Sequence, residues 1–311
     1  MTKISIIVPC YQSGLNIPVT SAKLIETESL FSDDVRFEYV LVDDGSTDNT
    51  FTELKKFYEQ YPDKVKVIKL TRNFSSTNAV FAALRHATGD CNIIVSADLQ
   101  DPPDELFPKM YEHWKKGYKL VVARRSERQE PLLQKMISNA THFLFKLFAL
   151  KNLPAGGFDM NLFDKEVREQ LLSMKESNAY FPYLLIWLGY EFVSVPYVRR
   201  KREIGTSAYT FSKKVKAFID SFVAFTYAPI RMISIVGIIL GVAAFLYGTA
   251  VIIGKLLGAV DVEGWSSIMV VLLFVSSFQM LALGILGEYI WRISDSARQR
   301  PNYVIDEVLS K

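Results

Sequence analysis

The chain has 311 residues, which is enough for one large domain or two small ones with a sizeable buried core. Its 36 Lys and Arg residues nearly balance its 33 Asp and Glu residues, and a net charge of +3 argues against a dedicated nucleic-acid-binding protein. Half of the residues are apolar and the mean hydropathy is +0.14. That value is high for a soluble protein, and the excess lies near the C-terminal end.

Residues 1–125 alternate short β-branched runs with amphipathic stretches. The runs predict strands at 4–8, 39–42, 65–70, 93–95 and 120–122. The stretches between them predict helices near 17–30, 48–60, 76–87 and 104–116. This order predicts an α/β fold with a doubly wound, mostly parallel sheet, in which ligands bind beyond the carboxyl ends of the strands.

Polar side chains follow the predicted strands at those ends. Asp98 and Gln100 follow the fourth strand, and residues two apart in an extended segment point to the same side. Their oxygens could therefore share one divalent cation with a substrate diphosphate. The run 43–48 could be only a turn that feeds a helix N-cap, and Asp101 is expected to cap the next helix. No glycine-rich dinucleotide fingerprint or P-loop occurs.

Two long uncharged stretches lie between Arg231 and Lys255 and between Glu263 and Glu288. Each is long enough to cross a bilayer, for which about 20 apolar residues are needed. Lys and Arg residues lie before the first stretch and after the second, so both termini are expected in the cytoplasm. A pair of buried core helices is the alternative.

Six features occur in a fixed order along nearly the whole chain. They are Ile-Val-Pro-Cys-Tyr at 7–11, Val-Asp-Asp-Gly-Ser-Thr-Asp at 42–48, Arg-Asn-Phe at 72–74, Ala-Asp-Leu-Gln-Asp-Pro-Pro at 97–103, the segment 199–209, and the two spans, which end in Gly-Glu-Tyr at 287–289. Together they resemble family 2 of the glycosyltransferases, and more narrowly its membrane-bound polyprenyl-phosphate group. That group includes dolichol-phosphate mannose synthase and the bactoprenol glucosyltransferases.

The resemblance implies a nucleotide-sugar donor and a divalent metal ion. Five residues would hold the nucleotide end of the donor: Pro9, Tyr11, Asp43, Asp44 and Arg72. Asp98 and Gln100 would bind Mg²⁺ or Mn²⁺, which stabilises the charge on the leaving diphosphate. Ser96 stands where many relatives carry another aspartate, so metal binding is assigned to those two residues only.

The run 156–164 resembles the family segment in which an aspartate lies beside the acceptor. Asp159 matches that aspartate and is the expected catalytic residue, although Asn161 stands where an arginine is usual. The alternative for Asp159 is a loop residue before a helix, for which Asp164 is the better N-cap.

A basic cluster precedes the first uncharged stretch. A lipid phosphate and a nucleotide diphosphate together need several fixed cations, although a charge run is usually a solvated face. The resemblance assigns phosphate binding to Arg199, Arg202 and Ser207, with Arg124 and Arg128 as further candidates.

The predicted organisation has four parts. Residues 1–210 form a cytoplasmic catalytic domain, 211–230 an interfacial helix, 231–292 a two-helix transmembrane hairpin and 293–311 a cytoplasmic tail. Apolar residues recur at helical spacing near 133–148 and 215–225, and each helix could lie at the membrane surface or in the core.

These features together predict an inverting transfer of a hexose, with UDP-glucose as the expected donor, to a polyprenyl phosphate at the cytoplasmic leaflet of a bacterial inner membrane. The expected partners are the donor, the acceptor and the bilayer, with no nucleic acid, and a homo-oligomer stays open. The alternatives are a processive polysaccharide synthase and a catalytically silent scaffold. Synthases carry a Gln-x-x-Arg-Trp segment that does not occur in this sequence, which argues against the first alternative. The departures from the family pattern at Ser96 and Asn161 keep the second open.

Overall fold

The computed structural model describes residues 1–126, 132–154, 157–174, 179–200, 211–257 and 264–311. The chain divides into two compact units. The sheet unit comprises Met1–Ala224 and Pro301–Lys311, and the helical unit comprises Phe225–Arg300. The chain therefore leaves the sheet unit, forms the helical unit, and returns to the sheet unit at its C-terminal end.

Strands and helices alternate through most of the sheet unit, and each of the five strands and four helices predicted for residues 1–125 is present. The elements are β1 (Thr2–Cys10), α1 (Ile17–Glu28), β2 (Val35–Asp43), α2 (Thr50–Gln60), β3 (Val65–Leu70), α3 (Ser76–His86), β4 (Cys91–Ile94), α4 (Pro103–Lys115), β5 (Leu120–Arg125), α5 (Leu132–Phe148), β6 (Asn161–Asp164), α6 (Lys165–Ser173), α7 (Phe181–Trp187), β7 (Phe192–Tyr197) and α8 (Phe211–Phe225), followed after the helical unit by β8 (Ile305–Leu309).

The strands form one eight-stranded sheet in the order β7-β5-β6-β4-β1-β2-β3-β8. Neighbouring strands are parallel in the pairs β1–β2, β1–β4, β2–β3 and β5–β7. β6 is antiparallel to both β4 and β5, and β8 is antiparallel to β3. The predicted doubly wound, mostly parallel α/β sheet is confirmed.

The central strands are buried on both faces, which is why their sequences are continuous apolar runs rather than alternating ones. Ile4, Ile6 and Ile7 of β1 have no exposed surface. The ends of β1 and β2 are in register, with Cys10 opposite Asp43. Polar residues that follow these strands therefore gather at one edge of the sheet, where ligands of such folds bind.

The three strands β6, β7 and β8 were not predicted. β6 has only four residues and exists because it fills the gap between β4 and β5. β7 contains Pro196, which lowers its strand signal. β8 pairs with a strand more than 200 residues earlier in the chain, and no local pattern encodes such a pairing.

β8 closes the outer edge of β3 at the C-terminal end of the chain. Val308 lies opposite Ile68, and Leu309 packs against the hydrophobic core. The backbone N–H of Thr71, just past β3, donates to the carbonyl of Val304 at 3.0 Å. Residues 301–311, the last part of the tail predicted at 293–311, thus belong to the same compact unit and sheet as the N-terminal residues.

Ending the chain after Arg300 should lower the free energy of unfolding by about 2–4 kcal/mol, because β3 loses its partner strand and Leu309 leaves the core. Thermal unfolding in detergent, followed by circular dichroism, measures this effect. Lys311→Ala is the matched control. It removes only the exposed ion pair with Asp63 and should leave the unfolding temperature unchanged. An unchanged unfolding temperature in the shortened chain would show that β8 adds no stability.

The helical unit contains α9 (Ala228–Leu256) and α10 (Trp265–Ala297). Ala228–Gly254 and Ser267–Ala297 are long and apolar enough to cross a membrane, each with a peak hydropathy of 2.4. None of the residues in the most apolar window of either helix is buried, and Phe245 is 73% exposed. The described part of the chain therefore does not bury these helices, as the alternative of two core helices would require.

The helices α5 and α8 each bury one side and expose another. Phe145 of α5 is buried and packs at 5.5 Å, between ring centroids, against Phe222 of α8. Phe143, Leu147 and Ile219 are exposed instead. Each helix therefore has features of both predicted positions. One face packs as a core helix would, and exposed apolar side chains remain, as expected of a helix at a membrane surface.

Candidate active site

The loops that follow β1, β2 and β3 form the first part of the site. Asp43, the last residue of β2, has no exposed surface, and Asp44 is 2% exposed. Asp43 Oδ1 accepts a hydrogen bond from Ser46 N at 3.0 Å, and no described residue donates to its other oxygen. Asp44 Oδ1 accepts from Phe74 N at 2.7 Å. Two adjacent carboxylates thus lie at the carboxyl edge of the sheet.

Burial and the neighbouring Asp43 raise the pKa of Asp44 to about 6, despite the hydrogen bond from the Phe74 backbone. Burial penalises the charged form of a carboxyl group, and a second carboxylate next to it adds repulsion. Because a shift of this size costs the free protein stability, it is typical of a carboxyl group that a ligand stabilises.

Asn49 is the N-cap residue of α2, and the side chain that accepts from the helix start is that of Asp48, one residue earlier. Asp48 Oδ1 accepts from Thr50 N at 3.1 Å at the start of α2, and Oδ2 accepts from Gly14 N at 3.1 Å. These contacts satisfy the helix start and tie the loop after β1 to the loop after β2. Asp43 and Asp44 are therefore not needed for capping.

The loops after β2 and β3 approach each other at Gly45. Its backbone is left-handed, with φ +65°, and a Cβ at this position would lie 2.3 Å from the carbonyl carbon of Arg72. Only glycine fits both conditions. Arg72 is exposed and stacks over the Phe74 ring at 4.1 Å, while Tyr11 is 45% exposed and Pro9 is partly buried. The five predicted nucleotide-binding residues thus lie at the carboxyl ends of three adjacent strands or just after them.

Asp98 and Gln100 lie in a turn, and the extended segment expected for them is wrong. Leu99 between them has φ +50°, and its N–H donates to Ser96 O at 3.4 Å. The turn still brings the two residues together, because Gln100 N donates to Asp98 Oδ1 at 3.3 Å. A non-glycine residue in the left-handed region is uncommon and marks a loop held by its surroundings.

This turn fits a divalent cation that is shared with a substrate. Asp98 and Gln100 supply a carboxylate and an amide oxygen, the hard ligands that Mg²⁺ and Mn²⁺ prefer. Among the described residues, no group of three or more His, Cys, Asp or Glu side chains could hold a metal ion. A cation here would therefore need further ligands from a diphosphate and water.

Asp159 lies in the loop before β6, within a cluster of cationic and phenolic groups. Arg125 Nη2 donates to Asp159 Oδ2, and Tyr180 donates to Oδ1 at 2.9 Å. Arg199 Nη2 is 3.7 Å from the same Oδ2. The helix-start alternative belongs to Asp164, which caps α6 by accepting from Glu166 N at 2.9 Å. Asp159 is therefore not the residue that caps α6.

Asn161, which stands where the family usually has arginine, is fully buried and donates to the Asp159 carbonyl at 3.0 Å. Two arginines from other segments, Arg125 and Arg199, supply cations at this position instead. The asparagine therefore shapes the loop that carries Asp159, and the local positive charge comes from elsewhere in the chain.

The predicted N-cap role of Asp101 is wrong. Pro102 is the N-cap residue of α4, and Asp101 is instead 1% exposed with Oδ1 accepting from the Tyr197 hydroxyl. Burial and the Asp101 carboxylate raise the pKa of Tyr197, so its hydroxyl stays protonated at neutral pH. Proline has no N–H to be satisfied at the helix start, and this leaves the Asp101 side chain free to turn inward.

Arg125, Tyr180 and Tyr197 were not predicted as site residues. Arg124 was predicted, yet it is exposed, whereas its neighbour Arg125 reaches Asp159. Adjacent residues of a strand point to opposite faces, so the alternation of β5 is the signal that could have separated them. Three further predicted residues, Arg128, Arg202 and Ser207, lie outside the described part of the chain.

The chain matches the family described as Glycosyl transferase family 2 over residues 5–172, more than half of its length. The Escherichia coli strain K12 protein named "Prophage bactoprenol glucosyl transferase homolog" is 32% identical over 98% of this chain and 99% of its own. The Photorhabdus laumondii protein named "Undecaprenyl-phosphate 4-deoxy-4-formamido-L-arabinose transferase" is 29% identical over 99% of this chain and 94% of its own.

Among solved structures, a mannosyltransferase from Pyrobaculum calidifontis, described as in complex with GDP-Man and Mn²⁺, is 20% identical to this chain. The match has a TM-score of 0.47 and covers 67% of this chain and 59% of that one. The family match and the full-length relatives agree with the doubly wound sheet and with the motifs at its carboxyl edge. The chain belongs to glycosyltransferase family 2.

Proposed function

We propose that this glycosyltransferase transfers a hexose, glucose from UDP-glucose, to a polyprenyl phosphate with inversion at the sugar. The observation that carries the proposal is Asp159, a carboxylate held by Arg125 and near Arg199 at the edge where nucleotide sugars bind. The two arginines beside Asp159 could also bind a phosphate, because guanidinium groups form strong charge-assisted hydrogen bonds with phosphate oxygens. The similarity to a bactoprenol glucosyl transferase homolog extends over both apolar helices and adds support.

In this reaction an oxygen of the lipid phosphate attacks the anomeric carbon of the sugar. The new carbon–oxygen bond forms as the bond to the nucleoside diphosphate breaks, and that diphosphate leaves with the bonding electron pair. In this proposal Asp43 and Asp44 accept hydrogen bonds from the nucleobase, and Pro9, Tyr11 and Arg72 complete the nucleotide site. The burial of the two carboxylates at the carboxyl edge of the sheet supports this assignment. The buried carboxylates thus select the donor by its base.

Asp98 and Gln100 would hold Mg²⁺ or Mn²⁺ against the donor diphosphate. When bound, the cation stabilises the negative charge that develops on the leaving group. Arg124, Arg128, Arg199, Arg202 and Ser207 are proposed to bind the phosphates of donor and acceptor. The structure describes two of these, Arg124 and Arg199, and Arg199 Nη2 lies 3.7 Å from Asp159 Oδ2.

We also propose that α9 and α10 form a hairpin across the inner membrane, with both termini in the cytoplasm. Arg231 precedes the first apolar stretch, and Arg298 and Arg300 follow the second. The exposed apolar sides of α5 and α8 would lie at the membrane surface, with residues 211–230 as an interfacial segment. This placement gives the enzyme access to a lipid acceptor at the cytoplasmic leaflet.

The proposal is tested by incubating membranes that contain the protein with radiolabelled nucleotide sugars and polyprenyl phosphate. We expect a chloroform-soluble labelled product from UDP-glucose, and none when polyprenyl phosphate is omitted. Label in a long water-soluble polymer would instead identify a polysaccharide synthase. Absence of transfer from every donor, in a protein that still binds them, would identify a scaffold.

Donor binding should depend on pH through Asp44, whose pKa is about 6. The ionised carboxylate accepts hydrogen bonds from the base, so affinity should rise with pH up to about 6. Below that value it should fall by as much as about tenfold per pH unit. Calorimetric titration with UDP-glucose between pH 5 and 8 measures this dependence.

The choice of ligand matters in this titration. A terminal phosphate monoester titrates near ~6 itself, whereas both phosphates of a nucleotide sugar are esterified and stay ionised over this range. Asp44→Asn should bind more weakly at pH 8 and lose the dependence on pH. If the variant keeps the wild-type pH profile, another group controls donor binding.

A further inference from the structure

Asp101 is a buried carboxylate for which the proposed reaction has no use so far. It is 1% exposed and follows the Asp98–Gln100 turn directly. It does not cap α4, because Pro102 occupies that position. A buried carboxylate is costly unless a hydrogen-bond donor and a cation compensate it. The groups that compensate Asp101 therefore indicate what it does.

Those groups both come from the end of β7. The Tyr197 hydroxyl donates to Asp101 Oδ1, and Arg199 Nε lies 3.6 Å from the same oxygen. Among the described residues, neither Asp101 Oδ2 nor Arg199 Nε has a hydrogen-bond partner. Asp101 Oδ1 thus accepts a hydrogen bond from the Tyr197 hydroxyl and also lies close to Nε of the Arg199 guanidinium group.

The far side of the same guanidinium group faces Asp159. Arg199 Nη2 is 3.7 Å from Asp159 Oδ2, the oxygen that also accepts from Arg125. Arg199 therefore spans two carboxylates, one buried and one partly exposed at 32%. The buried carboxylate is the fixed one, since the Tyr197 hydroxyl and the surrounding core hold it in place.

The backbone around this contact is also tied together. Arg200 N donates to Gln100 O at 2.9 Å, and Gln100 Nε2 donates to Arg200 O at 3.3 Å. Arg200 Nη2 lies 3.0 Å from Glu105. The chain just past β7 is thus attached to Gln100 and to Glu105 of α4, one on each side of Asp101 in the sequence, and this keeps Arg199 next to Asp101.

We propose that Asp101 is a positioning residue, whose buried carboxylate, together with the Tyr197 hydroxyl, holds the Arg199 guanidinium group against Asp159 to receive the acceptor phosphate. This inference rests on the proposed function. It assigns the carboxylate after the metal-binding turn to the acceptor side of the reaction and not to the cation. Asp101 acts through Arg199 and does not contact the reacting atoms.

The test compares Asp101→Asn with Asp104→Asn in the full-length protein. Asn at 101 keeps an oxygen for the Tyr197 hydroxyl and removes the charge that faces Arg199. The acceptor KM should rise about tenfold, with kcat and the midpoint of the metal titration changed less than threefold. Asp104→Asn removes a nearby carboxylate in the first turn of α4, which pairs with Lys23 and Arg200, and it should leave the acceptor KM unchanged.

A double-mutant cycle separates this role from a purely structural one. If Asp101 acts through Arg199, then Asp101→Asn should raise the acceptor KM no further in an Arg199→Ala background. Tyr197→Phe leaves the carboxylate charged but less fixed, and it should raise the acceptor KM about threefold. Should Asp101→Asn fail to fold, this variant and its combination with Arg199→Ala carry the test.

Equilibrium binding of farnesyl phosphate to the metal-loaded protein gives a readout that does not need turnover. We expect about tenfold weaker binding for Asp101→Asn and wild-type binding for Asp104→Asn. Undiminished binding in Asp101→Asn, additive effects in the cycle, or a shifted metal midpoint would each overturn the inference alone. A wild-type protein that binds no prenyl phosphate would overturn the proposed function as well.

Discussion

Replacing Asp98 by alanine should lower metal-stimulated transfer by at least ~10³-fold, because the turn after β4 then offers the cation no carboxylate. Since each tenfold change in rate corresponds to about 1.4 kcal/mol, this factor represents a loss of about 4 kcal/mol in transition-state stabilisation. Only two protein ligands are proposed here, so the contribution of each is large. Initial rates over a titration with Mg²⁺ or Mn²⁺ measure the effect.

Two comparisons make this result specific. Asp98→Ala should still bind nucleotide in the absence of metal and should keep the unfolding temperature of the wild type within a few degrees. Ser96→Asp should act in the opposite direction and tighten apparent metal affinity, since it adds a carboxylate two residues before Asp98. Metal-dependent turnover that survives in Asp98→Ala would remove Asp98 from the coordination shell.

The sheet was predictable where burial on both faces produces a local signal. β1 and β3 are rich in Ile and Val, and they were found within a few residues of their bounds. β6 and β8 have only four and five residues, and their partners are distant in the chain. A short strand is stabilised by its neighbours in the sheet, so its own residues carry little information about it.

In the candidate site, too, residues with a local sequence signal could be predicted and residues placed by long-range packing could not. Asp43, Asp44 and Asp98 could be found because each follows a predicted strand, and the topology brings strand ends to one edge. The roles of Arg125 and Asp101 could not be found in this way. Their partners, Asp159 and Tyr197, are 34 and 96 residues away, and only packing brings them together.

Asp101 also shows how a correct local rule can fail. Aspartate before Pro-Pro at a helix start is a good N-cap by residue preference. In the structure the helix begins one residue later, with Pro102 at the cap, and the carboxylate is buried against Tyr197 and Arg199. A tertiary contact outweighs a capping contribution of about 1 kcal/mol where the site needs a fixed charge.

The role of Asp159 depends on the chemistry of the acceptor. A phosphate monoester has its second pKa near ~6, so at neutral pH the lipid phosphate is mostly a dianion and can attack without losing a proton. Asp159 already accepts hydrogen bonds from Arg125 and Tyr180. Two roles remain for it. It can take the proton of the monoanionic acceptor, or it can orient the arginines that bind the phosphate.

Asp159→Asn distinguishes these roles, because asparagine keeps the size of the side chain and cannot take a proton. For a general base, kcat should fall by at least ~10² with the acceptor KM changed less than about threefold. We expect this result, and steady-state kinetics with varied acceptor measure it. Asp164→Asn is the matched control. Asn can cap α6 as Asp does but cannot accept from both Glu166 N and Trp114 Nε1, so stability should fall slightly while kcat is unaffected.

The opposite kinetic pattern in Asp159→Asn would assign Asp159 the orienting role. A near-normal kcat with a much raised acceptor KM would show that Asp159 orients Arg125 and Arg199, and that the phosphate attacks unaided. In that case Asp159→Asn and Asp101→Asn should have the same kinetic signature, because both would act on Arg199. Under the expected outcome the two differ: loss of the Asp159 carboxylate lowers kcat, and loss of the Asp101 carboxylate raises the acceptor KM.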